Sequence, residues 1–397
     1  MLGTCLSLEM ARRGFKVDLY DREARCITQA GARNEGKIHL GFVYGADPSF
    51  RTADVMLKGA LSFYPLLRRW IGNAVDEIIP SAPFLYLIEK ESLLSPQDCE
   101  DYFFRLEKKI LEYGSSDYPG GRLQKVEKLS SREWSQLLNH EKVAAVYRTP
   151  ERSIDVQHVA SILRAKLNET AMISFHSGRE LTGVALEGDQ VEIECEHKYT
   201  QRYDIVVNAL WDGRLALDQQ VGLFDEAPWS YRLKHAIFLK TSASLDVPPV
   251  TIVQGAYGDI VSFGQGRYYF SWYPICKQGF AKNLIKPPDW ERNLPKQAAE
   301  ELTVDAIINL AQFIPSLAKI TLKNIEELRV LGGVIYAHGE TDVIDPKSGL
   351  HNRYQPTIQS KGGYYSINPG KYTLCPSFAD QVAHQICAAS APSLTAF

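Results

Sequence analysis

A single histidine lies within a glycine-rich stretch, GARNEGKIHLGFVYG, at residues 31–45. Glycine adopts backbone conformations that other residues avoid, so a glycine-rich main chain can approach a ligand closely. A neutral imidazole is suited to take a proton from a hydroxyl group. We therefore predict that this segment folds against a ligand and that His39 faces it. His39 then acts either as a catalytic base or only as a residue that positions the ligand.

Aromatic side chains form a second candidate for chemistry. Tyr268, Phe270, Trp272 and Tyr273 lie in a region of alternating strands separated by glycine turns. We predict that one set of them faces a pocket and that the other faces a sheet covered by helices. Packing in the core of an antiparallel sheet is the alternative for at least half of them. We assign Tyr273 to the catalytic site.

The sequence predicts no metal site. The acids of GETDVIDPKSG, at 339–349, do not have the spacing of a calcium loop, and DPKSG is more simply a turn. The seven cysteines are far apart and form no CxxC pair, which argues against zinc and against a disulfide framework. Reduced thiols fit a cytoplasmic protein.

The N-terminus resembles half of a nucleotide-binding unit. Apolar residues recur at helical spacing from Leu2 to Met10, Gly14 ends the helix, and KVDLY is a strand that closes on Asp21. In a βαβ dinucleotide site, such an acid accepts a hydrogen bond from a ribose hydroxyl. Gly3 matches only the third glycine of GxGxxG. Any helix–strand unit of an α/β protein is the alternative interpretation.

Two later segments continue the α/β pattern. An amphipathic helix is predicted over 153–169, followed by a strand, a hairpin and the apolar strand DIVVNA, which is typical of a strand covered on both faces. Asn208 and Ala209 end that strand, where open α/β sheets bind ligands. At the C-terminus, GGYYSINPGKYTLCPSFADQVAHQIC predicts a strand, a Pro-Gly turn and a helix whose first amides favour a negatively charged group.

Composition indicates a globular chain and argues against two classes of partner. The 397 residues are enough for two domains, and 45% are hydrophobic while 23% are charged. The net charge of −3, without a basic block, argues against nucleic acid or an anionic membrane as partner. No apolar stretch approaches the roughly 18 residues of a spanning helix. The amphipathic helix predicted over 95–114 packs on a sheet or forms a homodimer contact.

Four motifs in this order resemble the D-amino-acid-oxidase-type FAD-dependent oxidoreductases. Besides the N-terminal unit, GARNEGKIHLGFVY resembles N-S-G-x-I-H-x-G-x-x-Y of L-2-hydroxyglutarate and glycerol-3-phosphate dehydrogenases. NPGKYTLCPSFADQVA resembles G-G-K-x-T-T-Y-R-x-M-A-E-D of the latter, and IVVNALWDGR is similar to V-V-N-A-A-G-x-W. The resemblance implies an α/β fold in which a discontinuous, glutathione-reductase-like FAD-binding domain alternates with an α+β antiparallel-sheet substrate domain.

The resemblance also implies domain bounds and ligand contacts. The FAD-binding domain would comprise 1–75, 151–215 and 335–397, and the substrate domain 76–150 and 216–334. The adenosine ribose would lie at the strand that ends at Asp21, and the adenine near Leu181. The ring edges of the flavin would lie at 33–38 and 370–373. The implied FAD-binding residues are Gly3, Asp21, Arg22, Arg33, Asn34, Glu35, Gly36, Lys37, Ile38, His39, Leu181, Asn208, Ala209, Leu210, Gly370, Lys371, Tyr372 and Thr373.

One departure from the family concerns the substrate. Members hold a substrate carboxylate with an arginine, often in G-x-R-P, because a guanidinium binds a carboxylate through two parallel hydrogen bonds. Here LGGVIYAHGE has Ile335 and Tyr336 instead, which argues against a simple amino-acid oxidase. Arg353 resembles an arginine of glycerol-3-phosphate dehydrogenases and is the best remaining anion binder, and Arg267 and Arg329 are weaker candidates.

A second departure concerns the N-terminus, where the first strand and the phosphate turn of the family have no counterpart before Leu2. We expect that the start codon was assigned inside the reading frame, with a natural truncation as the alternative. A sheet without that strand exposes two unpaired edges, and the pyrophosphate loses its main cradle of amides.

The resemblance implies an FAD-dependent dehydrogenase or oxidase. The expected reaction removes a hydride from a carbon that bears an amine or a hydroxyl, in a small and anionic substrate, and passes it to flavin N5. Oxygen, a quinone or a protein remain open as electron acceptor. A non-catalytic, N-terminally truncated remnant of such a flavoprotein and an NAD-dependent dehydrogenase are the alternatives.

Overall fold

The structure, a computed structural model, describes residues 1–114, 117–223, 228–255, 257–282, 284–355 and 357–390. The α-helices in these ranges are α1 (Leu2–Arg12), α2 (Arg51–Ile71), α3 (Pro96–Tyr113), α4 (Ser131–Trp134), α5 (Val156–Glu169), α6 (Arg214–Gln220), α7 (Tyr273–Cys276), α8 (Lys296–Ala311) and α9 (Cys375–Ser390).

The β-strands in the same ranges are β1 (Val17–Asp21), β2 (Lys37–Ile38), β3 (Leu85–Glu89), β4 (Glu127–Lys128), β5 (Val143–Arg148), β6 (Arg152–Ser153), β7 (Ile173–Ser177), β8 (Leu181–Glu187), β9 (Gln190–Cys195), β10 (Tyr199–Tyr203), β11 (Val206–Asn208), β12 (Trp229–Thr241), β13 (Val250–Val253), β14 (Gly258–Gly264), β15 (Arg267–Trp272), β16 (Lys277–Lys282), β17 (Ile325–His338), β18 (Thr357–Lys361) and β19 (Tyr364–Asn368).

The parallel strands form two separate pieces of sheet. β1 pairs with β7 in parallel, from Val17 opposite Ile173 to Asp21 opposite Ser177. β11 pairs with β19 in parallel, and β18 adds an antiparallel strand outside β19. In the described ranges neither β1 nor β11 has a second strand partner. Gly3 lies between the pieces, since an ideal Cβ there would stand 3.6 Å from both Leu19 and Ala209.

Four helices, α1, α2, α5 and α9, pack into one apolar core with these strands. Asp155 caps α5, because its carboxylate accepts hydrogen bonds from the amides of Gln157 and His158. The helices predicted from 153 and from near 372 are present as α5 and α9. The predicted hairpin is also present, as β8 and β9.

The largest sheet has nine strands in the described part of the chain, most of them antiparallel. Its longest strands, β12 and β17, pair along their whole lengths. Helix α8 covers one face through a second apolar core that includes Ile237, Phe270 and Leu310. The opposite face contributes Ala236 and Tyr269 to the first core, so the two halves of the molecule share one buried interior.

The aromatic residues of β15, together with Tyr273, divide between the two faces of the sheet as predicted. Tyr268, Phe270 and Trp272 all lie in the core beneath α8, because alternate residues of a strand point to the same face. Tyr269 and Tyr273 line the cavity on the opposite side. One set therefore faces the helix-covered side and Tyr273 faces the pocket, as predicted, and packing in the core holds for three of the four residues.

This architecture confirms the predicted fold class, an α/β nucleotide-type unit beside an α+β unit built on a largely antiparallel sheet. The predicted domain bounds stay a prediction. No helix in the described ranges is both long enough and apolar enough to cross a bilayer.

Candidate functional site

A cavity of about 1230 Å³ lies between the parallel strands and the nine-stranded sheet. Its wall includes the carboxyl ends of β1 and β11, at Asp21 and Asn208, which is where open α/β sheets bind ligands. Residues of β12 and of the segment 343–353 form the opposite wall. We call the first side the nucleotide-side wall and the second the sheet-side wall.

Two helices begin at the nucleotide-side wall. Leu2 and Gly3 of α1 line it, as do Tyr372 and Cys375 at the start of α9. The first amides of a helix have no intrahelical acceptor and carry partial positive charge, so both helix ends favour a negatively charged ligand. Asp21 accepts a hydrogen bond from the Glu23 amide at 3.0 Å, and burial raises the pKa of its carboxyl group.

Side chains on the nucleotide-side wall mostly bond to their own loops. Asn34 donates to the Ala30 carbonyl at 2.8 Å and accepts from the Gly36 amide at 2.8 Å. Asn208 accepts from the Leu210 amide at 3.1 Å and donates to the Asp218 carboxylate at 3.0 Å. These bonds fix the loops so that a ligand meets main chain rather than free polar side chains.

Arg33 joins its loop to the large sheet. Its guanidinium donates to the carbonyls of Thr28 and Gly332, both at 2.9 Å. Burial lowers the pKa of Arg33, and the nearby charge of Arg292 acts in the same direction.

The glycine at position 36 is required by the protein itself. Its φ is +68°, and an ideal Cβ would stand 1.9 Å from the Ile154 carbonyl oxygen. Any side chain here would collide with the main chain that leads into α5. Gly36 thus allows β2 and β6 to approach each other, and it does not line the cavity.

His39 lies between two carboxylates and is 4% exposed. Its Nε2 is 3.6 Å from Glu35 Oε1, and its Nδ1 is 3.7 Å from Glu151 Oε1. The His39 amide donates to the Thr373 hydroxyl at 3.0 Å, which joins the histidine segment to the start of α9. The imidazole lines the cavity between these two carboxylates, and within the described residues its Nδ1 has no hydrogen-bond partner.

Glu151 is fully buried behind His39. Its carboxylate accepts hydrogen bonds from the Leu40 amide at 2.6 Å and from the Tyr86 hydroxyl. Burial acts to raise the pKa of Glu151, but hydrogen bonding with His39 and the charges of His39 and Lys37 lower it on balance. Glu151 therefore remains a carboxylate beside the imidazole.

Lys37 is 2% exposed and carries a buried ammonium group. The group donates to the Thr251 hydroxyl at 2.5 Å and to the Asp259 carboxylate at 2.6 Å. It also lies 4.5 Å from the centre of the Phe84 ring. Burial acts to lower the pKa of Lys37, but the charges of Asp259, Glu151 and Glu35 together raise it.

The sheet-side wall carries two arginines. Arg232, on β12, is 1% exposed and donates from Nη1 to the Tyr273 hydroxyl at 2.9 Å. Arg353 lies on the segment that follows β17, and its amide donates to the Thr52 hydroxyl at 3.0 Å. Burial, followed by the charge of Arg232, lowers the pKa of Arg353 to about 10.

Thr52 also belongs to the start of α2. Its hydroxyl donates to the Asp47 carboxylate at 2.6 Å, and its amide donates to the same carboxylate at 3.0 Å. The arginine segment is thereby fastened to the helix beneath it.

Lys371 completes the positive wall. Burial lowers the pKa of its ammonium group to about 8, the charge of Glu35 opposes this, and the charge of Arg353 adds to it. Within the described ranges no three or more His, Cys, Asp or Glu side chains are grouped so as to hold a metal ion.

The whole chain is similar to solved flavoenzyme structures. Glycine oxidase from Geobacillus kaustophilus matches with a TM-score of 0.69 at 13% identity, over 98% of this chain and 92% of that chain. Iminodiacetate oxidase from Chelativorans sp. BNC1 matches with a TM-score of 0.67 at 15% identity, over 98% of this chain and 93% of that chain. L-α-glycerophosphate oxidase from Mycoplasma pneumoniae was solved with FAD bound. It matches with a TM-score of 0.63 at 13% identity, over 97% of this chain and 93% of that chain.

No family model and no curated protein sequence matches the chain. The structural similarity nevertheless decides the architecture. The chain has the fold of these oxidases.

The structure brings most of the residues predicted from this fold family to the one cavity. His39, Tyr273 and Arg353 line it, and so do the implied FAD-binding residues except Gly36, Ile38 and Thr373. Ile38 and Thr373 are buried behind the wall. The weaker candidates Arg267 and Arg329 do not line the cavity, and Arg267 instead pairs with Asp155 at 3.3 Å.

Sequence analysis missed Arg232 and Glu151. Both are charged residues at buried positions, and only Arg232 has a signal in its sequence neighbours, a weak one. Arg232 interrupts the largely apolar strand WSYRLKHAIFL, and it pairs in register with Ile335, the position at which the family's arginine was expected. A guanidinium has therefore been supplied from the adjacent strand.

Proposed function

We propose that this protein is an FAD-dependent oxidoreductase. The observation that carries the proposal is the single cavity in which the four predicted motif segments meet the sheet-side arginines. Its walls differ in chemistry: one presents helix N-termini and main chain, and the other presents buried charged side chains. A dinucleotide and a small anion suit these two walls respectively.

The residues present fit FAD. Two helix N-termini and the Asp21 carboxyl group lie on the nucleotide-side wall. Tyr44 and Tyr372 also line the cavity, and within the described residues their buried hydroxyls have no hydrogen-bond partner. Buried polar groups without partners are rare in proteins, and in a cavity wall they favour a ligand that completes them.

In this proposal Asp21 binds the adenosine ribose, and the first turn of α1 faces the pyrophosphate. Lys371 and Tyr372 contact the flavin end, where the N-terminus of α9 stabilises negative charge. FAD, when bound, supplies the acceptor for a hydride. The predicted division into an FAD-binding domain and a substrate domain belongs to the same proposal.

His39 is placed to accept the proton that leaves a hydroxyl or an ammonium group of the substrate. It lines the cavity, and the carboxylates of Glu35 and Glu151 lie 3.6 and 3.7 Å from its two ring nitrogens. The substrate is then a small amine or alcohol with an anionic group that Arg353 holds. The similar structures include oxidases of glycine, iminodiacetate and glycerophosphate, and these compounds include both amines and an alcohol.

The test is to express the chain with excess FAD and record its visible absorption after gel filtration. We expect a yellow protein whose visible band is bleached, without oxygen, by hydroxy or amino acids. As a second measure of binding, free FAD is titrated with the protein and the FAD fluorescence is recorded. A colourless protein that leaves FAD fluorescence unchanged contradicts the proposal and favours the non-catalytic alternative. If NADH, rather than FAD, quenches the fluorescence of the protein, a dehydrogenase that uses NAD is favoured.

A further inference from the structure

Arg232 is a buried cation with unused hydrogen-bonding capacity. The Nη1 atom donates to Tyr273, but within the described residues Nε and Nη2 have no partner. The side chain is 1% exposed and lines the cavity. An unpaired buried charge costs several kcal/mol unless a partner of opposite charge reaches it. The remaining donors of the guanidinium fork therefore favour an acceptor inside the cavity.

The orientation of Arg232 is fixed by a chain of contacts. The Tyr273 hydroxyl accepts from Arg232 and donates to the Asp342 carboxylate at 2.9 Å. Asp342 in turn pairs with Lys277. Because Asp342 already has this cation, it leaves the charge of Arg232 uncompensated.

A second guanidinium faces the same space. Arg353 lines the cavity, and no side-chain hydrogen bond or ion pair is seen for it in the described ranges. Arg232 and Tyr273 are both among its electrostatic neighbours. Two like charges that share a cavity repel each other, and an anion between them removes both that repulsion and the desolvation cost.

The surrounding charges strengthen this preference. Lys37, Lys234 and Lys371 also line this part of the cavity and interact electrostatically with one another. The carboxylates beside them are Glu35, Glu151 and Asp259, and Asp259 is already bonded to Lys37. Positive charge therefore exceeds negative charge around the two arginines.

We propose that Arg232 and Arg353 together form a binding site for a small dianion, so that the substrate carries two negative charges held by two guanidinium groups. The inference rests on the proposed function for its chemistry but not for the anion site itself. A dicarboxylate and a phosphate monoester both supply the required charge. Arg232 is the specificity-determining residue of this pair, because a monoanion leaves one guanidinium unpaired.

The experiment is calorimetric titration of the purified protein, FAD included, with succinate, inorganic phosphate and acetate. We expect at least one dianion to bind roughly 10-fold or more tightly than acetate. The substitutions Arg232→Met and Arg353→Met should each lower the affinity for that dianion by roughly 10- to 100-fold, because each removes hydrogen bonds to a charged group. Preference for succinate or for phosphate identifies the source of the charge.

Arg202→Met is the matched control, because Arg202 pairs with Glu192 on an exposed hairpin outside the cavity. It should leave all three affinities unchanged. Arg232→Lys keeps the charge but loses the fork, so it should weaken the dianion by roughly 10-fold. It also serves if Arg232→Met does not fold.

Equal affinity for acetate and both dianions overturns the inference, and so does wild-type dianion affinity in Arg353→Met together with either Arg232 variant. The visible flavin band is recorded on the same samples. A yellow protein without dianion preference contradicts the anion site alone. A colourless protein that still prefers dianions supports the anion site and contradicts the proposed function.

Discussion

The two walls of the cavity are built in different ways. On the nucleotide-side wall, Asn34 bonds within its own loop, and Asn208 bonds to Leu210, to Asp218 and, at 2.7 Å, to the Tyr364 hydroxyl. On the sheet-side wall, Lys37 reaches Asp259, and Arg232 reaches Tyr273 while its Nε and Nη2 have no partner in the described residues. The first wall thus pairs both asparagine side chains within the protein, whereas the second leaves charge for a ligand.

The largest expected effect tests whether His39 serves chemistry or only the geometry of the wall. Replacing His39 by Gln removes the proton acceptor while keeping a polar side chain. We expect flavin reduction by a substrate to slow by about 10²- to 10⁴-fold, the usual contribution of a general base. Anaerobic stopped-flow absorbance measures the rate, and FAD retained after gel filtration measures binding. Equal losses in both would leave His39 only a positioning role.

The next effect concerns the buried charge on the sheet-side wall. Lys37→Met leaves the Asp259 carboxylate without its cation, so we expect a loss of about 3–5 kcal/mol in the free energy of unfolding. Urea denaturation followed by circular dichroism measures it. The double variant Lys37→Met with Asp259→Asn should recover part of the loss, since the unpaired charge is gone. No recovery would mean that packing, rather than charge, explains the effect.

A smaller effect comes from the titration of Lys371. The charged groups around it are Lys37, Lys234, Arg353 and Glu35. Its lowered pKa of about 8 means that the ammonium is present below that pH and becomes a neutral amine above it. Anion affinity should therefore fall as the pH rises through about 8, by roughly 10-fold for one lost charge.

Calorimetry at several pH values measures this change. Lys371→Met should bind the anion more weakly at low pH and show no such fall near pH 8. A fall of the same size in the variant would assign the titration to another group.

The smallest effect is expected on the nucleotide-side wall, at Gly3. A Cβ there makes only ordinary contacts at 3.6 Å, and alanine favours a helix over glycine. Gly3→Ala should therefore leave the free energy of unfolding unchanged or raise it by up to about 1 kcal/mol. Thermal unfolding measures it, with Gly36→Ala as the contrasting, strongly destabilised variant. A clear loss at Gly3 would show that α1 packs against the strands more tightly than these distances indicate.

Sequence could predict what depends on neighbouring residues. The periodic apolar positions of α5, the apolar run that became β11 and the Pro-Gly turn before α9 are all local patterns, and these elements are present. His39 was found through the glycines around it. The partners of His39 on the sheet side were not, because Glu151 lies 112 positions later and no local pattern joins the two. Arg232 needs β12, β15 and β17 to be folded before its burial becomes apparent.

The Thr52 hydroxyl connects the segment that carries Arg353 to helix α2. It accepts a hydrogen bond from the Arg353 amide and donates one to the carboxylate of Asp47, which lies just before α2. Fraying of that first helical turn would loosen the segment that carries the guanidinium. Ligand capture in the cavity and ordering of the α2 terminus are therefore coupled, and hydrogen exchange at the Thr52 amide would slow when an anion is bound.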